Sequence, residues 1–306
     1  MKDAQMLAEH FSAYTQWRGD VASGIGELRK WLQTNEIGDA QSDLRLQYLL
    51  DRLREDKLIV AFVAEFSRGK SELINAVFFA GYGNRILPSS AGRTTMCPTE
   101  LQWKNGDKPE IRLLPIESRK TNASITELKR YPEEWRIRPL DTSSAESLQQ
   151  ALTQVGETRM ASTVEAEALG FPIDESGDHG IRPNADGQVE IPLWRHAIIQ
   201  FPHPLLKQGL VILDTPGLNA IGAEPELTLN LLPNAHAVLF ILAADTGVTQ
   251  SDLAVWREHV NAGRRQRGRI VALNKIDGLW DGLRSEADIE REIAGQVASV
   301  AATLEI

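Results

Sequence analysis

The chain has 306 residues, 42% hydrophobic and 25% charged, enough apolar material for a sizeable core and two structural units. Against 42 acidic side chains stand 33 basic ones, a net charge of −9 that excludes a surface built throughout for nucleic acid or anionic lipid. A single cysteine, Cys97, excludes an intrachain disulfide framework, and with no signal-peptide h-region or membrane-spanning run the chain is expected in the cytoplasm.

Residues 1–57 read as helical. Leu7, Phe11, Tyr14, Trp17, Val21, Ile25, Leu28 and Leu32 recur at three- and four-residue steps, one stripe of an amphipathic helix. Turn formers at 35–39 break the pattern, and Leu44, Tyr48, Leu49 and Leu53 carry it into a second helix. The spacing predicts a helical hairpin packed against other parts, with the tryptophans as packing residues.

Residues 58–63 form a continuous apolar run, expected as a strand buried on both faces, and a helix is expected from about Lys70. Strands are expected at 101–103 and 110–114, a helix at 144–168 and a loop at 172–186. Further buried strands are expected at 210–213, 237–242 and 269–273, each followed by turn residues and a helical pattern. This alternation predicts an α/β fold: a mostly parallel central sheet flanked by helices, binding ligands at the carboxyl ends of its strands.

Between the first buried strand and its helix lies Ala64-Glu65-Phe66-Ser67-Arg68-Gly69-Lys70-Ser71. It fits the phosphate-loop pattern except that Ala64 replaces the first glycine. Backbone N–H groups at the start of the helix suit anionic oxygens, and Gly69 lets the backbone approach them. Lys70 reaches β- and γ-phosphates, and the Ser71 hydroxyl ligates Mg²⁺. Asp214-Thr215-Pro216-Gly217 follows a second buried strand, so Asp214 is placed to hold Mg²⁺ and the Gly217 N–H to meet the γ-phosphate.

Asn274-Lys275-Ile276-Asp277 follows a third. The Asp277 carboxylate matches the paired N–H donors of guanine, which adenine lacks, so a mismatch leaves a buried charge unpaired. Lys275 lies along the base, and Asn274 ties the base loop to the phosphate loop. Upstream, Gly92-Arg93-Thr94-Thr95-Met96-Cys97-Pro98-Thr99 offers a threonine for Mg²⁺ and the attacking water; Thr94 and Thr95 both qualify on residue type.

Taken together these motifs resemble the dynamin superfamily, in particular its bacterial members, over about residues 58–280. The phosphate loop is similar to that family's E-F-S-x-G-K-S form, and residues 86–99 to its first switch. There a T-x-x-P element aligns with Thr95, Met96, Cys97 and Pro98, which selects Thr95 as the catalytic threonine and metal ligand. Residues 239–252 are similar to the family's strand and loop before the guanine motif.

The resemblance implies that Ser67 contacts the bridge between β- and γ-phosphates and helps hold a monovalent cation, K⁺ or Na⁺, in place of an arginine finger. Leu218 follows Gly217 where Ras-like proteins carry a glutamine, in keeping with that scheme. Arg68 is the alternative source of positive charge, or else a surface or loop-bracing residue. The implied cofactors are GTP/GDP and Mg²⁺, with nucleotide contacts from Glu65, Phe66, Ser67, Arg68, Gly69, Lys70, Ser71, Asp214, Asn274, Lys275 and Asp277. Ser67, Lys70, Thr95 and Gly217 are the implied catalytic residues, and Ser71, Thr95 and Asp214 the implied metal ligands.

The implied organisation is a helical segment at 1–57, part of a bundle, and a dynamin-type GTPase domain at 58–306 with an insertion at about 104–200. The domain is expected to be cut short, because the chain ends soon after Asp277 without a visible final nucleotide loop. The implied activity is GTP hydrolysis to GDP and phosphate, coupled through self-assembly to membrane remodelling. The implied partner is a second copy across the nucleotide face. An anionic membrane would be met through parts absent from this chain, which places it at the inner face of the membrane; nucleic acid is not a partner. The alternative is a slow GTP-dependent switch or scaffold that docks a partner protein through the insertion.

Overall fold

The computed structural model describes residues 2–54, 57–87, 97–104, 106–121, 123–173, 181–216, 232, 235–261, 268–280 and 284–306, with backbone alone for 2–8, 11, 51, 52 and 54. The chain opens with two helices, α1 (Lys2–Thr34) and α2 (Ala40–Arg54). Asp39 receives the Ser42 N–H at 2.6 Å, the bond an acidic N-cap makes. The Arg29 guanidinium joins the two arms by donating to both carboxylate oxygens of Asp43, at 2.6 and 2.7 Å, and to Gln47. Tyr14, Trp17, Leu28 and Trp31 of α1, with Leu44, Tyr48 and Leu49 of α2, are exposed. Of the stripe expected to pack, Val21, Ile25 and Leu32 are half-buried while Tyr14, Trp17 and Leu28 are exposed, and Trp17 and Trp31 are surface residues.

Next come β1 (Leu58–Ala64), α3 (Lys70–Phe78), β2 (Thr99–Gln102), β3 (Glu110–Pro115), α4 (Ile125–Leu128), β4 (Arg136–Pro139) and α5 (Ala145–Thr153). They are followed by β5 (Thr158–Ser162), α6 (Thr163–Ala168), β6 (Gln188–Pro192), β7 (Trp194–Gln200), α7 (Pro204–Lys207) and β8 (Leu210–Asp214). The last elements are β9 (Ala237–Ala243), α8 (Gln250–Val255), β10 (Arg269–Asn274) and α9 (Glu286–Leu304).

Eight strands form one sheet in the order β10-β9-β1-β8-β2-β7-β3-β4. β10, β9, β1 and β8 run parallel. β2 reverses against β8 but is parallel to β7, and β3 and β4 continue antiparallel. The apolar run of β1 serves both faces, as the two-residue period of a strand requires. Phe62 and Ala64 join one core with Ile74, Phe78, Ile111 and Ile212. Ala61 and Val63 join the other with Leu213, Phe240, Leu242 and Trp256, where Val300 and Leu304 bring in α9.

Residues 144–168 are not one helix. Gly156 closes a short turn after α5, and β5 then pairs antiparallel with β6 in a separate two-stranded sheet. Ser162 starts α6 afresh, its hydroxyl accepting the Glu165 N–H at 3.1 Å. The competing force is burial: Ala161, Ala166, Leu169 and Phe171 gather with Ile116, Val189 and Ile191 into a small core that a continuous helix could not assemble. Of residues 104–200, β3, β4 and β7 extend the main sheet, while β5, β6 and α6 form this satellite.

Candidate nucleotide-binding site

The four parallel strands carry the sequence motifs to one edge of the sheet. β1 ends at Ala64, β8 at Asp214 and β10 at Asn274. Between β1 and α3 the backbone is bent through two left-handed residues, Ser67 at φ 63° and Gly69 at φ 86°. Serine rarely adopts that conformation, which places local strain in the loop. Gly69 is the N-cap of α3 and supplies no side-chain cap, leaving the first-turn N–H groups to an outside acceptor. The Leu73 N–H already bonds the Gly69 carbonyl at 2.9 Å, so the helix is formed from its first turn.

Lys70 and Asp214 meet. The ammonium donates to Asp214 Oδ1, with both side chains 9% exposed. The phosphate-loop cation and the aspartate at the end of β8 thus share one buried spot. Thr215 fixes the chain just beyond: its hydroxyl donates to the Phe62 carbonyl at 2.8 Å. Thr99, first residue of the reversed β2, pairs with Asp214 across the sheet. Thr94, Thr95, Gly217 and Leu218 lie outside the described residues.

The guanine motif is tied to the phosphate loop. Asn274 Nδ2 donates to the Arg68 carbonyl at 2.9 Å. A Cβ on Gly69 would stand 2.4 Å from that same nitrogen, so a side chain there would strain the left-handed backbone and displace the Asn274 amide. Lys275, itself left-handed at φ 59°, pairs with Asp245 at 2.9 Å. Hydrogen bonds from Thr246 and then Lys275 hold the Asp245 carboxyl below its ordinary range. Asp277 is exposed, and Trp280, whose N–H bonds the Asp277 carbonyl at 3.1 Å, is 49% exposed.

Glu65 and Arg68 face a different partner. Arg68 Nη2 donates to Glu65 Oε2 at 2.7 Å and to Asp252 Oδ2 at 3.0 Å. Thr249 and Ser251 both donate to the Glu65 carboxylate, the former at 3.2 Å. Glu65 and Arg68 therefore point to the segment between β9 and α8, away from Lys70 and Asp214, while Phe66 and Ser67 are exposed. Asp245, Thr249, Ser251 and Asp252 carried no assigned role in the sequence reading. The available signal was Thr249-x-x-Asp252, which forms a capping box at the start of α8.

Guanine nucleotide and Mg²⁺ fit these residues. The donors are a hydroxyl at Ser71 and a carboxylate at Asp214, a sparse oxygen set of the kind Mg²⁺ takes alongside phosphates. Among the described residues no cluster of three or more His, Cys, Asp or Glu forms a cage for another metal.

Residues 60–276 match the dynamin family. Over 280 residues the chain is 30% identical to the bacterial dynamin-like protein of Nostoc punctiforme, an alignment spanning 88% of this chain and 33% of that one. Over 222 residues it is 22% identical to dynamin-like protein A of Bacillus subtilis, spanning 68% of this chain and 18% of that one. A solved structure from an oligomerised bacterial dynamin pair overlays 95% of this chain and 36% of its own length, at 20% identity and a TM-score of 0.49. The chain thus spans about a third or less of the length of these two curated relatives. With the phosphate loop, Asp214 and the guanine motif joined at one end of the sheet, the match over 60–276 identifies this chain as a member of the dynamin family that carries its GTPase domain.

Proposed function

We propose that this chain binds GTP with Mg²⁺ and hydrolyses it to GDP and phosphate. The observation that carries the reading is the Asn274–Arg68 bond, which sets a base-recognising loop and a phosphate-recognising loop at one fixed separation. A site so spaced selects a nucleotide with both ends present.

Mg²⁺, when bound with the nucleotide, neutralises and orients the β- and γ-phosphate oxygens. The remaining work falls to the chain. Lys70 faces the terminal phosphates, with the first-turn N–H groups of α3 directed at the same oxygens. Ser71, Asp214 and Thr95 would hold the metal, with Thr95 also positioning the water and Gly217 meeting the γ-phosphate through its N–H. Ser67 would help hold K⁺ or Na⁺, whose charge would offset that developing on the phosphates. Asp277 accepts from the guanine edge, and Lys275 lies along the base. Phe66 and Ser67 are exposed on the loop, open to the nucleotide, and a second copy across the nucleotide face completes the site. Hydrolysis is coupled through self-assembly to membrane remodelling, and the chain works peripherally at the inner face of a membrane. No helix among the described residues is long and apolar enough to cross one.

The test is GTP hydrolysis measured against protein concentration, in K⁺ and in Na⁺, beside a Lys70→Ala control. Turnover per molecule is expected to rise with concentration, to differ between the two cations and to vanish in the control. Tight GTP binding with a flat, negligible rate would replace this reading with the slow switch.

A further inference from the structure

Arg68 has two available roles beside a phosphate: its guanidinium reaches the reacting oxygens, or it braces the loop from behind. The side chain is 5% exposed, and its Nη2 lies between two carboxylates, Glu65 at 14% and Asp252 at 0% exposure. Asp252 is committed further. Its Oδ2 accepts the Thr249 N–H at 3.0 Å and the Thr249 hydroxyl at 2.8 Å, closing the capping box of α8. Swinging Arg68 out would leave the buried Asp252 and the part-buried Glu65 without their cation, the costly way to break such a group.

The backbone of Arg68 is equally engaged, since its carbonyl receives Asn274. Its neighbours on both sides hold left-handed angles that persist only where the surroundings enforce them. The segment that holds Arg68 also carries Asp245, which pairs with Lys275 of the guanine motif. Residues 245–252 therefore brace the phosphate loop with one acid and the base loop with another.

We propose that Arg68, Glu65 and Asp252 form a clamp that sets the phosphate loop against the β9–α8 segment. Asp252 is then a positioning residue for nucleotide binding, and Arg68 is not the source of charge for the reaction. This rests on the GTP-binding reading above. The clamp acts on the shape of the loop, so it supports the diphosphate and the triphosphate alike. A guanidinium aimed at the transferring phosphoryl group would instead act on the chemical step.

The experiment compares the wild-type chain with R68A, R68K, D252N and R68A/D252N. The readouts are affinity for fluorescent GDP and for a non-hydrolysable GTP analogue, the single-turnover rate at saturating GTP, and the thermal midpoint. R68A and D252N are each expected to weaken both ligands at least tenfold. The double variant should be no weaker than the worse single, and R68K should recover part of the loss. The saturated single-turnover rate should change far less than the affinity. If R68A does not fold, the isosteric D252N and the charge-retaining R68K carry the comparison. Unchanged affinity with a collapse of the single-turnover rate confined to Arg68 variants would assign the arginine to chemistry and overturn the clamp. Wild-type binding matched by every variant would overturn the clamp alone. Failure of the wild type to bind either guanine nucleotide would overturn the clamp and the function together.

Discussion

Gly69 shows how narrowly the phosphate loop is specified. Its φ of 86° disfavours any side chain, and a methyl group there would press on Asn274 Nδ2. Gly69→Ala is expected to cost about 1–3 kcal/mol of stability, from strain in the left-handed region. It should also lower guanine-nucleotide affinity at least tenfold, because the displaced amide is the bond that spaces the two loops. A melting curve and a nucleotide titration check both parts; wild-type values in each would mean that the loops relax freely. The motif residues themselves were legible because a phosphate loop is contiguous: eight residues state strand end, nest, cation and hydroxyl. That Arg68 could brace the loop was legible, but the choice between bracing and chemistry was not, because its partner Asp252 stands 184 positions away and only the folded sheet brings them together. Thr95 and Gly217, assigned from sequence, lie outside the described residues.

The strands divide by the same logic. β1, β8 and β9 are written in nearly continuous apolar letters, and their sequence pattern sufficed. β7 is buried at every position yet reads Trp-Arg-His-Ala-Ile-Ile-Gln, which hides it from a search for apolar runs. Two of its polar side chains, Arg195 and His196, are met from elsewhere. Arg195 donates to the carbonyls of Ser118 and Ala123, at 2.9 and 3.0 Å, and His196 Nε2 lies 3.1 Å from Glu100 on β2. Lys129, just after α4, donates to both Glu100 oxygens at 2.6 and 2.8 Å. Burial alone would raise the Glu100 pKa, but the Lys129 charge and the His196 hydrogen bond outweigh it and hold the carboxyl well below its ordinary range. A depressed carboxyl stabilises the fold above its unfolded pKa and loses that contribution as pH falls through the folded value. Glu100→Gln is therefore expected to cost about 1.5–3 kcal/mol at neutral pH, the range for hydrogen bonds to charged groups. The difference from wild type should persist at pH 5 and shrink only below the ordinary glutamate value of 4.5. Denaturant titrations at pH 7, 5 and 3 check the sign; a gap that grows on acidification would contradict it.

The fold class follows from the order of motifs and strands, because four parallel strands with their loops at one edge leave few arrangements of a chain this long. Its second core depends on a contact that no local pattern announces. Trp256 is almost wholly buried against Phe240, with ring centroids 5.5 Å apart, and its indole N–H donates to the Leu304 carbonyl at 3.1 Å. It thereby joins the end of α9 to the sheet. Trp256→Ala is expected to cost about 3–5 kcal/mol, the range for emptying a buried aromatic site. Amide exchange in α9 should rise with it, and protection that stays at the wild-type level would show that α9 is held by other means.

Trp280 gives the guanine motif a built-in optical reporter. It is half exposed and bonded to the backbone of Asp277, whereas Trp135, Trp194 and Trp256 are sealed in cores. Its emission, and energy transfer from it to a fluorescent guanine nucleotide, would register occupancy of the base loop without any engineered label. Trp17 and Trp31 are the exposed indoles of the hairpin, and replacing both with phenylalanine would remove their share of the background.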